Sequence, residues 1–157
     1  MPAGFTGSFA ARLDSLCRLR VKEAQDGERI LQGHVYIAPG GWHLHVERSA
    51  GGYVSRVTAG DPLNRHIPSV DVLYRSVAQH AGPRALGVML TGMGADGAQA
   101  MRVMRDRGSF NLVQDEASCV VFGMPRAAIA AEAADEVLPL LDIPRRLTER
   151  VAHTRTA

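Results

Sequence analysis

A chain of 157 residues has the length of one domain, enough to bury about two thirds of the surface its unfolded form exposes. With 46% hydrophobic and 22% charged residues it reads as globular, not as a disordered tail or a fibre. A net charge of +2, 5% aromatic residues and basic side chains scattered along the chain, with only Arg145 and Arg146 adjacent, exclude a phosphate-tracking surface, and no nucleic-acid partner is expected.

Two cysteines, Cys17 and Cys119, are too few for a disulfide framework. Reduced thiols in a cytoplasmic protein are the simpler expectation. No apolar run approaches the roughly 18 residues of a membrane span. The first residues lack the basic stretch, apolar run and cleavage site of a signal peptide. The protein is therefore expected in the cytoplasm and not inserted in a membrane.

In chain order, Phe5, Phe9, Leu13, Leu16 and Cys17 recur at helical spacing and predict an amphipathic helix over 5–18, packed on a sheet. Leu19–Ala24 reads as a short strand, Asp26–Glu28 as a turn, and Val35–Ala38 as a second strand stopped by Pro39-Gly40-Gly41. His43–Arg48 and Tyr53–Thr58 flank Ser49–Gly52 in the pattern of a β-hairpin. After a proline-bearing loop, Ser69 is placed to cap a helix running to about His80, with Val70, Leu73, Val77 and Ala81 as its apolar stripe. Leu86–Thr91 reads as a strand buried on both faces. Gly92–Gly97 is a loop, a helix follows to about Arg107, and Phe110–Gln114 is a second buried strand. Pro125–Ala134 predicts a short helix, Val137–Leu141 a last strand or extended segment, and Pro144–His153 a closing helix that frays beyond about His153. Repeats, low-complexity tracts and interdomain linkers are not evident. Strand, loop, helix and strand from 86 to 114 make a βαβ unit with parallel strands. Sites in such sheets form beyond the carboxyl ends of the strands, which directs attention to Gly92–Gly97.

That loop supports two readings. Gly92-Met93-Gly94-Ala95-Asp96-Gly97 fits Gly-x-Gly-x-x-Gly, with Asp115 and Glu116 near the distance of a ribose-binding acid, so a dinucleotide site is one. Asp96 argues against it, because a carboxylate beside the third glycine competes with a pyrophosphate for the same N–H groups. In the other reading the glycines make a tight exposed turn and Asp96 sits at a helix start, where the dipole favours a carboxylate. Such an acid can fix a histidine tautomer and stabilise an imidazolium during acyl transfer. Asp96 acting only as a helix cap is the plain structural alternative.

Several segments together resemble one family: Phe5–Leu13, Val21–Gly27, Val35–Gly40, Asn64–Leu73, Leu90–Gly97 and Gln114–Pro125. From Met1 to about Leu140 the chain is similar to the catalytic domain of the chemotaxis protein-glutamate methylesterases, the CheB type. The resemblance implies an α/β fold, doubly wound, with a mostly parallel sheet, helices on both faces and a β-hairpin insertion. It implies hydrolysis of glutamyl methyl esters on methyl-accepting chemotaxis receptors, possible glutamine deamidation, a Ser-His-Asp mechanism, and no metal or organic cofactor. Asp96 matches the triad aspartate. Met93 matches a residue whose backbone N–H helps form the oxyanion hole, with Gly92 and Gly94 supporting the turn.

The same resemblance puts the triad histidine directly before Met1-Pro2 and the serine further upstream. It therefore implies that this chain lacks the first strand-helix-strand segment, of roughly 30–40 residues, and the family's receiver domain with its phosphorylated aspartate. The chain alone is expected to be inactive, and the segment or a companion chain would have to supply the rest. A non-catalytic module that still docks receptors is the alternative. For a rebuilt triad, Ser69 reads as a cap, Cys119 as a small core residue, Ser118 as near the loop, and His66 as a loop residue. His43 and His45 share a strand face that could hold a metal, but with no third ligand evident they read as hairpin surface residues. His34, His80 and His153 have no evident partners.

Overall fold

The computed structural model describes residues 3–154; Met1-Pro2 and residues 155–157, on which part of the resemblance and of the expected fraying fall, lie outside the described residues. The chain divides into two compact units at Ser76/Val77.

The first unit opens with α1 (Phe5–Leu16), followed by β1 (Arg20–Glu23) and β2 (His34–Ile37). These two strands pair in parallel, Val21 opposite Val35. Helix and strands stand within a residue or two of their predicted positions, but the face that α1 buries differs from the predicted one. Thr6 and Ala10 are its buried residues, while Phe5 is 67% and Leu16 72% exposed. Cys17, just beyond, is exposed as well. Small residues win the inner face because polar bonds draw the helix in. The Thr6 hydroxyl donates to Glu23 and accepts the Gly40 N–H at 2.9 Å, and Asp14 Oδ1 accepts the Val21 N–H at 2.7 Å.

The hairpin is β3 (His43–Ser49) with β4 (Gly52–Thr58), paired antiparallel from His43–Thr58 to Ser49–Gly52. Its connection is the two residues Ala50-Gly51, the commonest hairpin length. The segment after Asp26 is more than the predicted turn. Gly27 N–H donates to Ser55 O, Ser55 N–H to Glu28 O and Ile30 N–H to Tyr53 O, at 2.8–2.9 Å, so residues 27–30 pair with the outer edge of β4. This pairing satisfies an edge that would otherwise present open backbone groups.

Helix α2 (Val70–His80) begins in the first unit and ends in the second. Its most buried residues are Asp71, Ser76 and Ala78, whereas the predicted stripe Val70, Leu73, Val77 and Ala81 is half-buried. Ser76 is drawn inward because its hydroxyl accepts the Val46 N–H at 2.9 Å.

The second unit continues with a 3₁₀ turn (Gly82–Arg84), β5 (Leu86–Met89), α3 (Ala98–Asp106), β6 (Phe110–Gln114), α4 (Met124–Ala130), β7 (Glu136–Leu138) and α5 (Ile143–Thr154). Strands β5, β6 and β7 form a parallel sheet in chain order, and α3 and α4 are its crossovers, as the βαβ reading expects. Strand β6 is central, and Asn111, Leu112, Val113 and Gln114 are each 0% exposed. Met101 and Met104 of α3 and Ala128 of α4 complete the core. Strand β5 is less enclosed than predicted: Gly87 and Met89 are buried, Leu86 and Val88 half-buried.

Two polar residues of β6 are built into this core. Asn111 Nδ2 donates to Met101 O at 2.8 Å and to Ala133 O at 2.9 Å, joining the middle of α3 to the segment before β7. A Cβ on Gly87 would lie 2.3 Å from Asn111 Oδ1, so β5 needs a glycine there. At the periphery, Arg105 Nε pairs with Asp135 at 3.0 Å and Arg146 Nε with Glu136 at 2.8 Å, while the guanidinium of Arg150 lies 3.8 Å from the Phe110 ring centroid.

Candidate active-site loop

The loop from Thr91 to Gly97 follows β5 and leads into α3, at the carboxyl end of the sheet. Its path depends on two left-handed glycines, Gly94 at φ +94° and Gly97 at φ +87°, a conformation that costs other residues about 1–2 kcal/mol. Gly97 is the N-cap of α3, so the cap position belongs to it and not to Asp96. Asp96, immediately before, is only 5% exposed. Met93, on the crest of the same turn, is 82% exposed. Among the described residues the backbone N–H groups of Met93 and Gly94 have no hydrogen-bond partner. The turn thus combines a sequestered carboxylate with unpaired donors at its crest.

A second loop, residues 115–123, holds the first in place. Gly92 N–H donates to Val121 O at 3.1 Å, and Gly92 O accepts from Gly123 N–H at 3.1 Å and Met124 N–H at 2.8 Å. Thr91 and Val121 exchange two further bonds through the threonine hydroxyl, at 2.8 and 3.1 Å. Gly123 lies against the loop backbone: a Cβ there would stand 2.7 Å from Gly92 O, 3.0 Å from Gly94 N and 3.2 Å from Met93 Cα.

Beneath both loops lies Gln114. Its Oε1 accepts the Thr91 N–H at 2.8 Å, and its Nε2 donates to Ser118 O at 2.7 Å. Asp115 Oδ1 accepts both the backbone N–H and the hydroxyl of Ser118, and Ser118 Oγ accepts the Leu140 N–H at 3.0 Å. Sequence reasoning singled out Ser118 but missed Gln114. Two signals could have found this support: a glutamine closing an otherwise buried strand, and Asp115 three residues before Ser118, within reach of a local side-chain-to-backbone bond.

These contacts decide several alternatives. Asp115 spends its carboxylate on its own turn, which removes one of the two acids that the dinucleotide reading assigned to a ribose. Ser118 is fully engaged as a structural hydroxyl. Cys119 is half-buried, not a core residue, and burial pushes its thiol above the ordinary range despite a side-chain hydrogen bond with Thr91; a poor thiolate is a poor nucleophile.

In the first unit, His43 is 6% exposed and is not the surface residue that the hairpin pattern predicts. Its Nδ1 accepts the Ser69 N–H at 3.3 Å and its Nε2 faces Asp61 O at 3.0 Å. His45 Nε2 lies 2.9 Å from the Thr58 hydroxyl. Burial and the neighbouring His43 push His45 below its ordinary range, against the pull of Glu47. The described residues contain no group of three or more His, Cys, Asp or Glu side chains able to hold a metal. The backbone of His66 bridges to Leu63 in a short antiparallel pair.

Residues 1–147 match the family described as CheB methylesterase. The chain belongs to the CheB methylesterase family. It is 62% identical over 152 residues to a protein-glutamate methylesterase/protein-glutamine glutaminase 1 of Albidiferax ferrireducens, matching 97% of this chain and 41% of that protein. It is 60% identical over 150 residues to the protein of corresponding name from Chromohalobacter salexigens, matching 96% of this chain and 42% of that one. The chain thus spans about two fifths of the length of these curated relatives. The crystal structure of the Thermotoga maritima CheB methylesterase catalytic domain superposes with a TM-score of 0.91 at 42% identity, over 95% of this chain and 79% of that one. The fold is therefore the doubly wound α/β fold that the sequence resemblance implies. Among the described residues no helix is long and apolar enough to cross a membrane.

Proposed function

We propose that this chain carries the acid and oxyanion loop of a protein-glutamate methylesterase acting on chemoreceptors. The observation that carries the reading is the Gly92–Gly97 turn, which holds Asp96 at 5% exposure while the Met93 N–H has no partner among the described residues. In the chemistry proposed, a serine hydroxyl adds to the γ-ester carbonyl while a histidine takes its proton. The tetrahedral oxyanion is held by backbone donors, Met93 N–H among them, each worth a few kcal/mol. Methanol leaves with the proton from the histidine, and water then releases the glutamate from the acyl-serine. Asp96 orients the histidine and stabilises its imidazolium. Glutamine deamidation follows the same course with ammonia as leaving group.

Serine and histidine are the two roles that Ser118, Cys119 and His43 do not fill, because their polar groups are engaged or their thiol is poorly ionised. No residue of this chain is assigned to either role. The substrate is a protein, the proposed receptors are the methyl-accepting chemotaxis receptors, and the cytoplasm is the proposed location. The test is methanol release from methylated receptor membranes, measured for the native protein from its source cells and for the 157-residue chain alone. Release by the native protein, with none above a buffer blank by the chain alone, is expected. Release by the chain alone would overturn the exclusion of Ser118, Cys119 and His43 from the triad roles, and no release by the native protein would overturn the function.

A further inference from the structure

Beside the Met93 turn lies an open groove of about 650 Å³, lined by Met93–Ala95, Val121–Gly123, Arg126, Ala127 and Ala130. Its volume falls in the range of sites that enclose a few side chains. Of the lining side chains, only Arg126 is polar. That side chain is exposed and, among the described residues, forms no ion pair or hydrogen bond. Five of the seven other described arginines of this unit pair with carboxylates or stack on Phe110 (Arg102, Arg105, Arg145, Arg146 and Arg150), and Arg84 and Arg107, which do not, lie away from the groove lining.

Arg126 is also poorly placed for stability. It sits in the first turn of α4, which has Gly123 as its N-cap and no acidic residue in that turn. A cation at this end opposes the helix dipole. Neither packing nor local electrostatics therefore accounts for it. An apolar trough with one unmatched positive charge is complementary to an amphipathic segment carrying a carboxylate.

We propose that Arg126 is a specificity-determining residue that binds an acidic side chain of the substrate polypeptide near the methyl-esterified glutamate, whose apolar neighbours occupy the Met93–Phe122 trough. This rests on the methylesterase reading of the adjoining turn, and it extends that reading from the reacting ester to the residues around it. Selection operates through charge: a substrate segment with a free carboxylate beside the ester is preferred over one in which that position is neutral. A partly exposed pair of this kind contributes up to about 1 kcal/mol, or roughly fivefold in affinity, and salt screens it.

The experiment uses two fluorescent synthetic peptides, both alanine-rich and bearing one γ-methyl glutamate. One has glutamate and the other glutamine at the flanking position. Anisotropy titrations with the full chain read affinity without requiring turnover. The wild type is expected to bind the glutamate peptide roughly two- to fivefold more tightly than the glutamine peptide, with the difference shrinking in high salt. Arg126→Gln abolishes that difference, Arg126→Glu inverts it, and Arg126→Lys retains most of it. Because the side chain is exposed, all three variants are expected to melt within a degree or two of the wild type. Equal affinity of wild type and Arg126→Gln for the glutamate peptide overturns the proposal, and so does equal affinity of the wild type for both peptides. The methanol assay stands apart. Turnover without discrimination by Arg126 sinks this inference alone, and discrimination without turnover sinks the methylesterase reading alone.

Discussion

Replacing Gly123 with alanine puts one methyl group where the two loops meet. The residue has an ordinary φ of −102°, so alanine brings no backbone strain and the whole effect is steric. The added Cβ would lie 2.7 Å from Gly92 O and 3.0 Å from Gly94 N, both backbone atoms that no rotamer change can move aside. Relief requires the Met93 turn to shift, which stretches the bonds from Gly123 N–H and Met124 N–H to Gly92 O, now 3.1 and 2.8 Å. Overpacking costs about 1–3 kcal/mol, and two weakened hydrogen bonds add about 1 kcal/mol each at most. A loss of about 2–4 kcal/mol is expected, lowering the melting temperature by roughly 2–4 °C per kcal/mol in a domain of this size. Displacing the Met93 N–H is expected to reduce methanol release by about 10²-fold or more in the native protein. Gly94→Ala is the comparison. Its Cβ meets nothing within 4 Å, so its cost is the left-handed φ alone, about 1–2 kcal/mol. Urea denaturation of both variants measures the difference. Gly123→Ala no more destabilising than 0.5 kcal/mol, or milder than Gly94→Ala, would refute the loop-against-loop packing.

Other outcomes follow from the same contacts. Asn111→Ala leaves the Met101 and Ala133 carbonyls without their side-chain donor and should cost about 2–4 kcal/mol in urea denaturation; a loss below 1 kcal/mol would show that the bridge is dispensable. The hydrogen bond from Arg146 holds the Glu136 carboxyl below its ordinary range, so the folded pKa lies under the unfolded one. The pair's contribution is then present above the unfolded pKa of about 4.5 and lost as pH falls through the folded value. Glu136→Gln should flatten the acid limb of the stability–pH curve, and an unchanged limb would count against the pair. With Phe5 67% and Leu16 72% exposed, concentration-dependent association is expected in sedimentation velocity and should be reduced by Phe5→Ser with Leu16→Ser; a monomer at every concentration would contradict it.

Periodicity made the order of elements legible because the helices and strands here are separated by strong punctuation, such as Pro39-Gly40-Gly41 and Gly92–Gly97. The choice of buried face was less legible. Phe5, Phe9 and Leu16 form a stripe in sequence, yet Thr6 and Ala10 are the buried residues, because the bonds from Thr6 to Glu23 and from the Val21 N–H to Asp14 set the orientation of α1 and no local pattern encodes a partner 17 residues away. His43 was misread for a related reason: strand alternation predicts which residues share a face but not whether that face is covered. The Gly92–Gly97 turn is legible because it is local and its φ demands are written in the residue types. Gln114 was hidden because its role is defined by Thr91 and Ser118, which adjoin it only in the folded sheet.

The most direct test of the central claim is methanol release by the native protein with Asp96 replaced by asparagine, alongside its thermal melt. If Asp96 orients the triad histidine, turnover should fall on the order of 10⁴-fold while the melting temperature stays within a few degrees. Turnover within a factor of ten of the wild type, in a protein that still folds, would contradict it and leave Asp96 as a structural residue at the head of α3.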